Sequence, residues 1–372
     1  MSPKVKKILS FLFILISVSV VVIIAFSNRE LGNAWDAISR LSLPWIGGLL
    51  LCWFIYGFFE AMGTWNCLRN RGHGIRPLSV YWTVLIGMYY SNITPSAAGG
   101  QPMQVNSLRK AGIPVAHGTL ALTIRFVSNQ FMVCVIALVL FLLNRGFVYE
   151  QLGGAIWAVR IGWLINFASV PLVLLAAFRQ KWIKTLAAKL IRLGARIRLV
   201  RDPERTAEKT YGVLDTYHEA LGELVRHPKE ILAQLFCSGI SLLGLTGSIV
   251  FTYYAFGQSG TPWIRVLTLS CLLFVSASYT PLPGASGAQE GGFLLYFQGI
   301  FRDGTIGLAL LIWRFFTYYL FLITGVFAVL NEKLLLRGEI RRAAEKRGEA
   351  NNFGNTEGAE GNPEAEGRAA DA

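Results

Sequence analysis

The sequence predicts an all-α polytopic membrane protein, with about six full transmembrane helices plus two Pro/Gly-broken re-entrant helix pairs in an inverted repeat. Three observations carry this prediction. The 372-residue chain is 53% hydrophobic and only 15% charged, with a mean hydropathy of +0.46, whereas a soluble domain is nearer a quarter charged. Apolar runs long enough to cross ~30 Å of hydrocarbon at ~1.5 Å per residue recur along it. Finally, "TPSAAGGQP" at 94–102 and "LPGASGAQE" at 282–290 are near copies, 188 positions apart and set in apolar sequence.

The first span is residues 8–26, uncharged and preceded by Lys4, Lys6 and Lys7. It is longer than the apolar core of a usual signal peptide and lacks a small-x-small cleavage site, so it reads as an uncleaved helix. Further full spans are predicted at 45–65, 119–143, 155–178, 231–256 and 305–330. Two shorter runs, 79–93 and 263–281, lead directly into the near copies. There Pro95, Gly99 and Gly100 in the first copy, and Pro281, Pro283, Gly284 and Gly287 in the second, prevent a continuous helix ladder. Broken backbone at membrane depth survives only where it is buried in protein or faces a water-filled cavity. Paired breaks at corresponding places in two halves point to a central binding site.

Charge sets the orientation. With the N-terminus in the cytoplasm and both broken runs turning back, Arg69, Arg71, Arg76, Arg109 and Lys110 fall inside, as does 179–209, with ten Lys or Arg against three acids. This obeys the positive-inside rule, and full crossing by both would violate it. The first hairpin then enters from the cytoplasm and the second from outside. The transmembrane domain covers 1–337, with repeat halves at about 45–178 and 231–330. A basic amphipathic cytoplasmic segment, 179–230, joins them and reads as a helix on the anionic inner leaflet. Residues 338–372, rich in Glu, Gly, Asn and Ala, are expected to be a disordered cytoplasmic tail.

Charges inside a bilayer are costly and need a reason. Those placed at depth are Glu60, Arg125, Glu290 and Arg314. "LALTIRF" (120–126) and "LALLIWRF" (308–315) match with one inserted residue, which puts an arginine in each half downstream of equivalent breaks. Two guanidiniums at a midplane cavity suit a phosphate, and free N–H groups at the half-helix starts would add positive potential. Alternatively each arginine is paired by a carboxylate, Glu290 for Arg314 and Glu60 for Arg125, to hold the fold; Glu60 is also a candidate coupling proton site. Gln101 and Gln289, at matching offsets, are candidate ligand contacts, although they, Gln104, Asn92, Asn129 and Gln130 serve equally well to satisfy broken backbone.

Enzyme signals are missing: there is no GxxxxGK[ST], HExxH, GxSxG or paired CxxC motif. The five cysteines are scattered singly and the four histidines fall in predicted connecting segments, so neither a disulfide framework, a metal site nor a cofactor is expected. No catalytic residues are assigned, and no nucleic-acid partner is expected.

The blocks "NITPSAAGGQPMQVNSLRKAGIP" (92–114) and "PLPGASGAQEGG" (281–292), with the later arginine helix, resemble the lysylphosphatidylglycerol synthase transmembrane family, also called the flippase-like domain family. The resemblance covers about 5–337, with the P-x-P-G-x-x-G-x-x-E pattern its most specific part. It implies a lipid flippase of the bacterial cytoplasmic (inner) membrane that translocates an anionic or aminoacylated phospholipid, such as lysyl-phosphatidylglycerol, and so confers resistance to cationic peptides. In the full-length multiple peptide resistance proteins this region precedes a cytoplasmic lysyltransferase domain. Only about 35 polar residues follow 337 here, so transferase chemistry is expected to come, if at all, from a separate lipid-modifying enzyme. Two other readings stand beside this one: a phosphatidylglycerol lysyltransferase or its membrane partner, and a polyprenyl-phosphate carrier transporter. The sequence leaves the oligomeric state, a homodimer included, open.

Overall fold

A computed structural model describes residues 41–196, 203–225, 227–278, 280–302 and 304–345. The first span, 8–26, and the tail 346–372 lie outside the described residues. The described residues are all-helical, and five helical stretches are long and apolar enough to cross a membrane: Leu43–Arg69, Val115–Leu143, Arg145–Ser169, Pro228–Ala255 and Ile306–Leu330. Their outer faces carry bare apolar side chains such as Leu143, Leu164 and Phe167. Exposure on that scale suits lipid rather than water.

Proline places many of the helix starts. In α1 (Leu43–Arg69), α2 (Pro77–Ile93) and α9 (Pro228–Ala255) a proline occupies the first or second helical position, where its missing N–H has no intrahelical partner to lose. Between α2 and α9 run α3 (Gly100–Lys110), α4 (Val115–Leu143), α5 (Arg145–Leu152), α6 (Ile156–Phe178), α7 (Gln180–Arg196) and α8 (Pro203–Val225). After α9 come α10 (Trp263–Ala277), α11 (Ala288–Tyr296), α12 (Ile306–Arg314), a π-helical stretch Phe315–Tyr319, α13 (Leu320–Leu330), α14 (Glu332–Leu335) and a helix over 337–345, α15.

The central pair is α1 against α9, and it is antiparallel. Ser42 N–H donates to the Ala255 carbonyl at one end (3.1 Å), and Arg71 meets Glu230 at the other (3.2 Å). Lipid supplies no hydrophobic drive between spanning helices, so small residues and close approach do that work. At Gly244 a Cβ would lie 3.2 Å from the Cys52 carbonyl oxygen, and an alanine there would have to push the two helices apart.

The two broken runs start at opposite ends of this pair. Trp65 near the end of α1 donates Nε1–H to the Ile75 carbonyl just before α2 (2.9 Å), whereas Tyr253 near the end of α9 accepts from Thr261 N–H just before α10 (2.7 Å). Each run then breaks in the same way. A residue before proline is forced out of the α region, and Thr94 and Leu282 are extended at ψ 143° and 144°. The 3₁₀ turns Pro95–Ala97 and Pro283–Ala285 follow, with matching bonds from Ala97 N–H to Thr94 and from Ala285 N–H to Leu282. These two turns touch each other in the middle of the bundle. They diverge one residue later: Ala98 is α-helical and Ser286 extended.

The residue inserted in "LALLIWRF" has a structural counterpart. Immediately after Arg314 the helix widens into the π-helical stretch, where Leu320 N–H bonds the Phe315 carbonyl five residues back. A π-bulge takes up one extra residue without ending the helix, which lets α12 and α13 act as a single span.

Three expectations need correction. The connector is a pair of packed helices, α7 and α8, joined by the Lys184–Asp215 ion pair (2.5 Å), and α8 also rests on α4; α7 still exposes Trp182 and Leu186. The stretch expected as the first repeat half contains α5 and α6, for which the described residues of the second stretch hold no counterpart. The expected disordered tail begins too early at 338: residues 337–345 are helical, and Glu339 there is buried, accepting from Arg76 N–H (3.2 Å) and Ser79 Oγ (3.4 Å) at the start of α2.

Candidate functional site

Where the two 3₁₀ turns meet, a cavity of about 450 Å³ opens between the halves, a size usual for small-molecule sites. Its wall brings together Glu60 from α1, Gln104 from α3, Arg125 from α4, Gln289 from α11 and Arg314 from α12. Ser96, Ala97, Gly284 and Ala285 reach it from the two turns.

Arg125 is buried and spends every nitrogen. Its Nε meets Glu60 Oε2 (3.1 Å), Nη1 donates to Thr64 Oγ1 (3.3 Å) and Nη2 to Gln104 Oε1 (2.6 Å). Gln104 passes over Gly87, where a Cβ would come within 1.8 Å of its amide nitrogen. Glu60 Oε1 accepts from Asn129 Nδ2 (2.7 Å) and Ser241 Oγ (3.1 Å). Three helices thus converge on one carboxylate.

Arg314 is held differently. Both Nε and Nη2 lie 2.6 Å from Glu290 Oε1, and Nη2 also donates to the Gly284 carbonyl (3.1 Å). Its guanidinium sits 5.0 Å from the ring centre of Tyr318, a cation–π distance. Glu290 is fully buried behind the arginine and off the cavity wall, and its Oε2 accepts from Gly287 N–H (2.6 Å). It is the third residue of α11, the place from which a glutamate caps its own helix.

The sequence-predicted residues therefore separate. Glu60, Arg125, Arg314 and Gln289 face the cavity, Glu290 supports it from behind, and Gln101 is exposed and off the wall. Gln104, three residues further along α3 and deeper in the bundle, takes the place expected of Gln101, which lies exposed in the helix's first turn. At the helix starts, the Gly287 N–H is taken by Glu290 and the Gly99 N–H by Thr94 Oγ1 (2.9 Å). The two arginines occupy corresponding places, yet their carboxylates do not, since Glu60 comes from α1 and Glu290 from the second hairpin. The signal for Glu290 was readable in its position, three residues beyond a glycine that starts a helix.

His117 lies in the first turn of α4 and not in a connecting segment; it is 2.7 Å from His73. Among the described residues no group of three or more His, Cys, Asp or Glu is placed to hold a metal ion.

A family model described as the lysylphosphatidylglycerol synthase TM region matches residues 8–325. The chain belongs to this family. A UPF0104 membrane protein of Archaeoglobus fulgidus is 25% identical over 336 residues, covering 85% of this chain and 94% of the relative. Family membership and the helical spans together make this a multi-pass membrane protein of the lysylphosphatidylglycerol synthase transmembrane type.

Proposed function

We propose that the protein carries a phospholipid headgroup between leaflets, and that the headgroup is of the aminoacylated kind, bearing both a phosphate and an ammonium. The observation that supports this is the cavity wall on which Arg125 and Glu60 stand side by side between the two broken turns. A guanidinium suits the phosphate, while the carbonyls of the nearby turns suit an ammonium. A wall of paired charges has little net field, so a purely anionic lipid or a polyprenyl phosphate gains less from it than a headgroup carrying both signs.

Alternating access follows from reading the halves as an inverted repeat. The antiparallel α1–α9 pair, the hairpins starting from its opposite ends and the contact between their tips support that reading. Arg69, Arg71, Arg76, Arg109 and Lys110 belong to one end of the bundle, which the positive-inside rule makes cytoplasmic. Applied to the sequence, the same rule reads both termini as cytoplasmic.

Cysteines introduced at Leu78 and Trp263, both exposed at the hairpin bases, are expected to react with an impermeant maleimide from opposite sides. Same-side labelling overturns the inverted arrangement. In proteoliposomes, Arg125→Gln is expected to slow translocation of fluorescent lysyl-phosphatidylglycerol about 10- to 100-fold, the equivalent of one or two charged hydrogen bonds. An unchanged rate in a folded variant removes Arg125 from headgroup binding.

A further inference from the structure

A polar seam leaves the cavity along the α1–α9 interface. On α9, Glu230, Gln234, Ser238 and Ser241 share one helical face. In reverse order Arg71, just past the end of α1, and Cys67, Gly63 and Glu60 of α1 lie against them. Arg71 Nη1 lies 3.2 Å from Glu230 Oε2 and 3.1 Å from Cys67 Sγ. The Gln234 amide lies over Gly63, where a Cβ would be 2.6 Å from it, and donates to Ser238 Oγ (3.3 Å). Ser241 then reaches Glu60 Oε1 at 3.1 Å. The rise from Glu230 to Ser241 is ~16 Å, about half of the hydrocarbon thickness.

Polar side chains at this depth are expensive, and the opposite end of the same helix pair packs with glycine and apolar residues instead, Gly48 against Phe251. Gln234 Oε1, Arg71 Nε and, beside Glu60, Asn129 Oδ1 are buried with no hydrogen-bond partner among the described residues. Such atoms have unspent capacity to bond water.

We infer that this seam is a proton path and that Glu60 is a proton-binding site which exchanges Arg125 with the phosphate of the bound headgroup. In the present arrangement the carboxylate accepts from Arg125, Asn129 and Ser241. A phosphate that takes over the guanidinium leaves a carboxylate only 6% exposed without its counter-charge. Burial then favours the neutral acid, so Glu60 takes one proton from a hydronium ion at the Glu230 face: one O–H bond breaks there, leaving water, and one O–H bond forms on the carboxyl. The titratable groups around it are Arg125 from α4, Cys237 from α9, Tyr56 from α1 and, beside Gly57, Tyr81 from α2. None of them is a second carboxylate that would take the proton instead. The Glu290–Arg314 pair has no such freedom, because Glu290 is fully buried and also caps Gly287. The inference rests on the headgroup reading above.

The test uses the whole protein in phosphatidylcholine nanodiscs, titrated calorimetrically with inorganic phosphate and separately with dihexanoyl phosphatidylglycerol, in two buffers of different ionisation enthalpy. Wild type is expected to take up about one proton per phosphate bound near neutral pH, with affinity falling as pH rises, by linkage. Glu60→Gln is expected to bind the lipid, whose phosphodiester keeps one fixed charge at neutral pH, with no uptake and no pH dependence, and with inorganic phosphate to show only the exchange due to that ion's own titration, against which wild-type uptake is counted. Binding by wild type without uptake, or equal uptake in Glu60→Gln, overturns the inference. Uptake with the lipid assigns the site to a headgroup, and uptake with free phosphate alone assigns it to a soluble anion; either result supports proton exchange. If neither probe binds, the headgroup reading fails separately, and a ligand-free arm decides the proton site. Arg125→Gln is expected to show an infrared carboxylic-acid band that is missing from Glu60→Gln/Arg125→Gln, and absence of that band overturns the inference.

Discussion

Glu290→Ala is expected to destabilise the protein by about 3–5 kcal/mol, the usual cost of leaving one partner of a buried ion pair alone. The carboxylate does two jobs within one turn of helix. Oε1 neutralises Arg314 (2.6 Å) and Oε2 accepts the Gly287 N–H that starts α11 (2.6 Å). Its removal strands a guanidinium at 4% exposure and uncaps a helix of nine residues. Arg314→Leu combined with Glu290→Gln is expected to cost less than Glu290→Ala alone, because no uncompensated charge then stays buried. Thermal unfolding in detergent, followed by tryptophan fluorescence, ranks the three proteins. A double variant no more stable than Glu290→Ala would mean that neither the charge balance nor the cap, which a glutamine keeps, holds the second hairpin. The equivalent change at Glu60 is expected to be milder, since Arg125 keeps Thr64 and Gln104.

This difference between the two pairs shows where the sequence could be read and where it could not. Apolar length placed α1, α4, α6, α9 and the α12–α13 span, and the Pro/Gly copies placed both 3₁₀ turns, because proline acts on its immediate neighbour whatever the tertiary setting. The extra residue in "LALLIWRF" was visible in the sequence, but the π-helical stretch beside it was not expected from it. Matching offsets misled at Gln101. The repeat carries the same backbone through Ala97 and Ala285, but Ala98 and Ser286 take different conformations, after which equal numbering no longer means equal direction. Gln104 reaches Arg125 only because Gly87 on α2 leaves room for it, a pairing between helices that no local pattern announces. Paired carboxylates were legible as an alternative to a bare phosphate clamp, and the geometry has both arginines paired. The folding of the connector into α7 and α8, and the docking of α15 through Glu339, depend on tertiary contacts in the same way.

Exchanging the residues at the two turn tips is expected to give unequal results. Ser96 and Gly284 correspond in the repeat and share a left-handed backbone, φ 52° and 62°. Such a conformation costs a residue with a side chain about 1–2 kcal/mol, so the first turn already bears strain that the second avoids. Ser96→Gly relieves it, offset by ~0.5–1 kcal/mol of added backbone entropy in the unfolded chain, and the expected net change is small. Gly284→Ser adds the strain and also a Cβ that would lie 2.2 Å from Tyr318 Cε2. Forcing an atom into such a contact costs about a further 1–3 kcal/mol. The displaced ring is the one that lies 5.0 Å from Arg314 and donates its hydroxyl to the Asn92 carbonyl at 3.3 Å, so the change reaches from the second turn to the end of α2. Thermal unfolding is expected to show a clear loss for Gly284→Ser and little or no loss for Ser96→Gly. Equal losses at both positions would mean that the tips are not held by Tyr318, and that the cavity between the halves owes its shape to the turns alone.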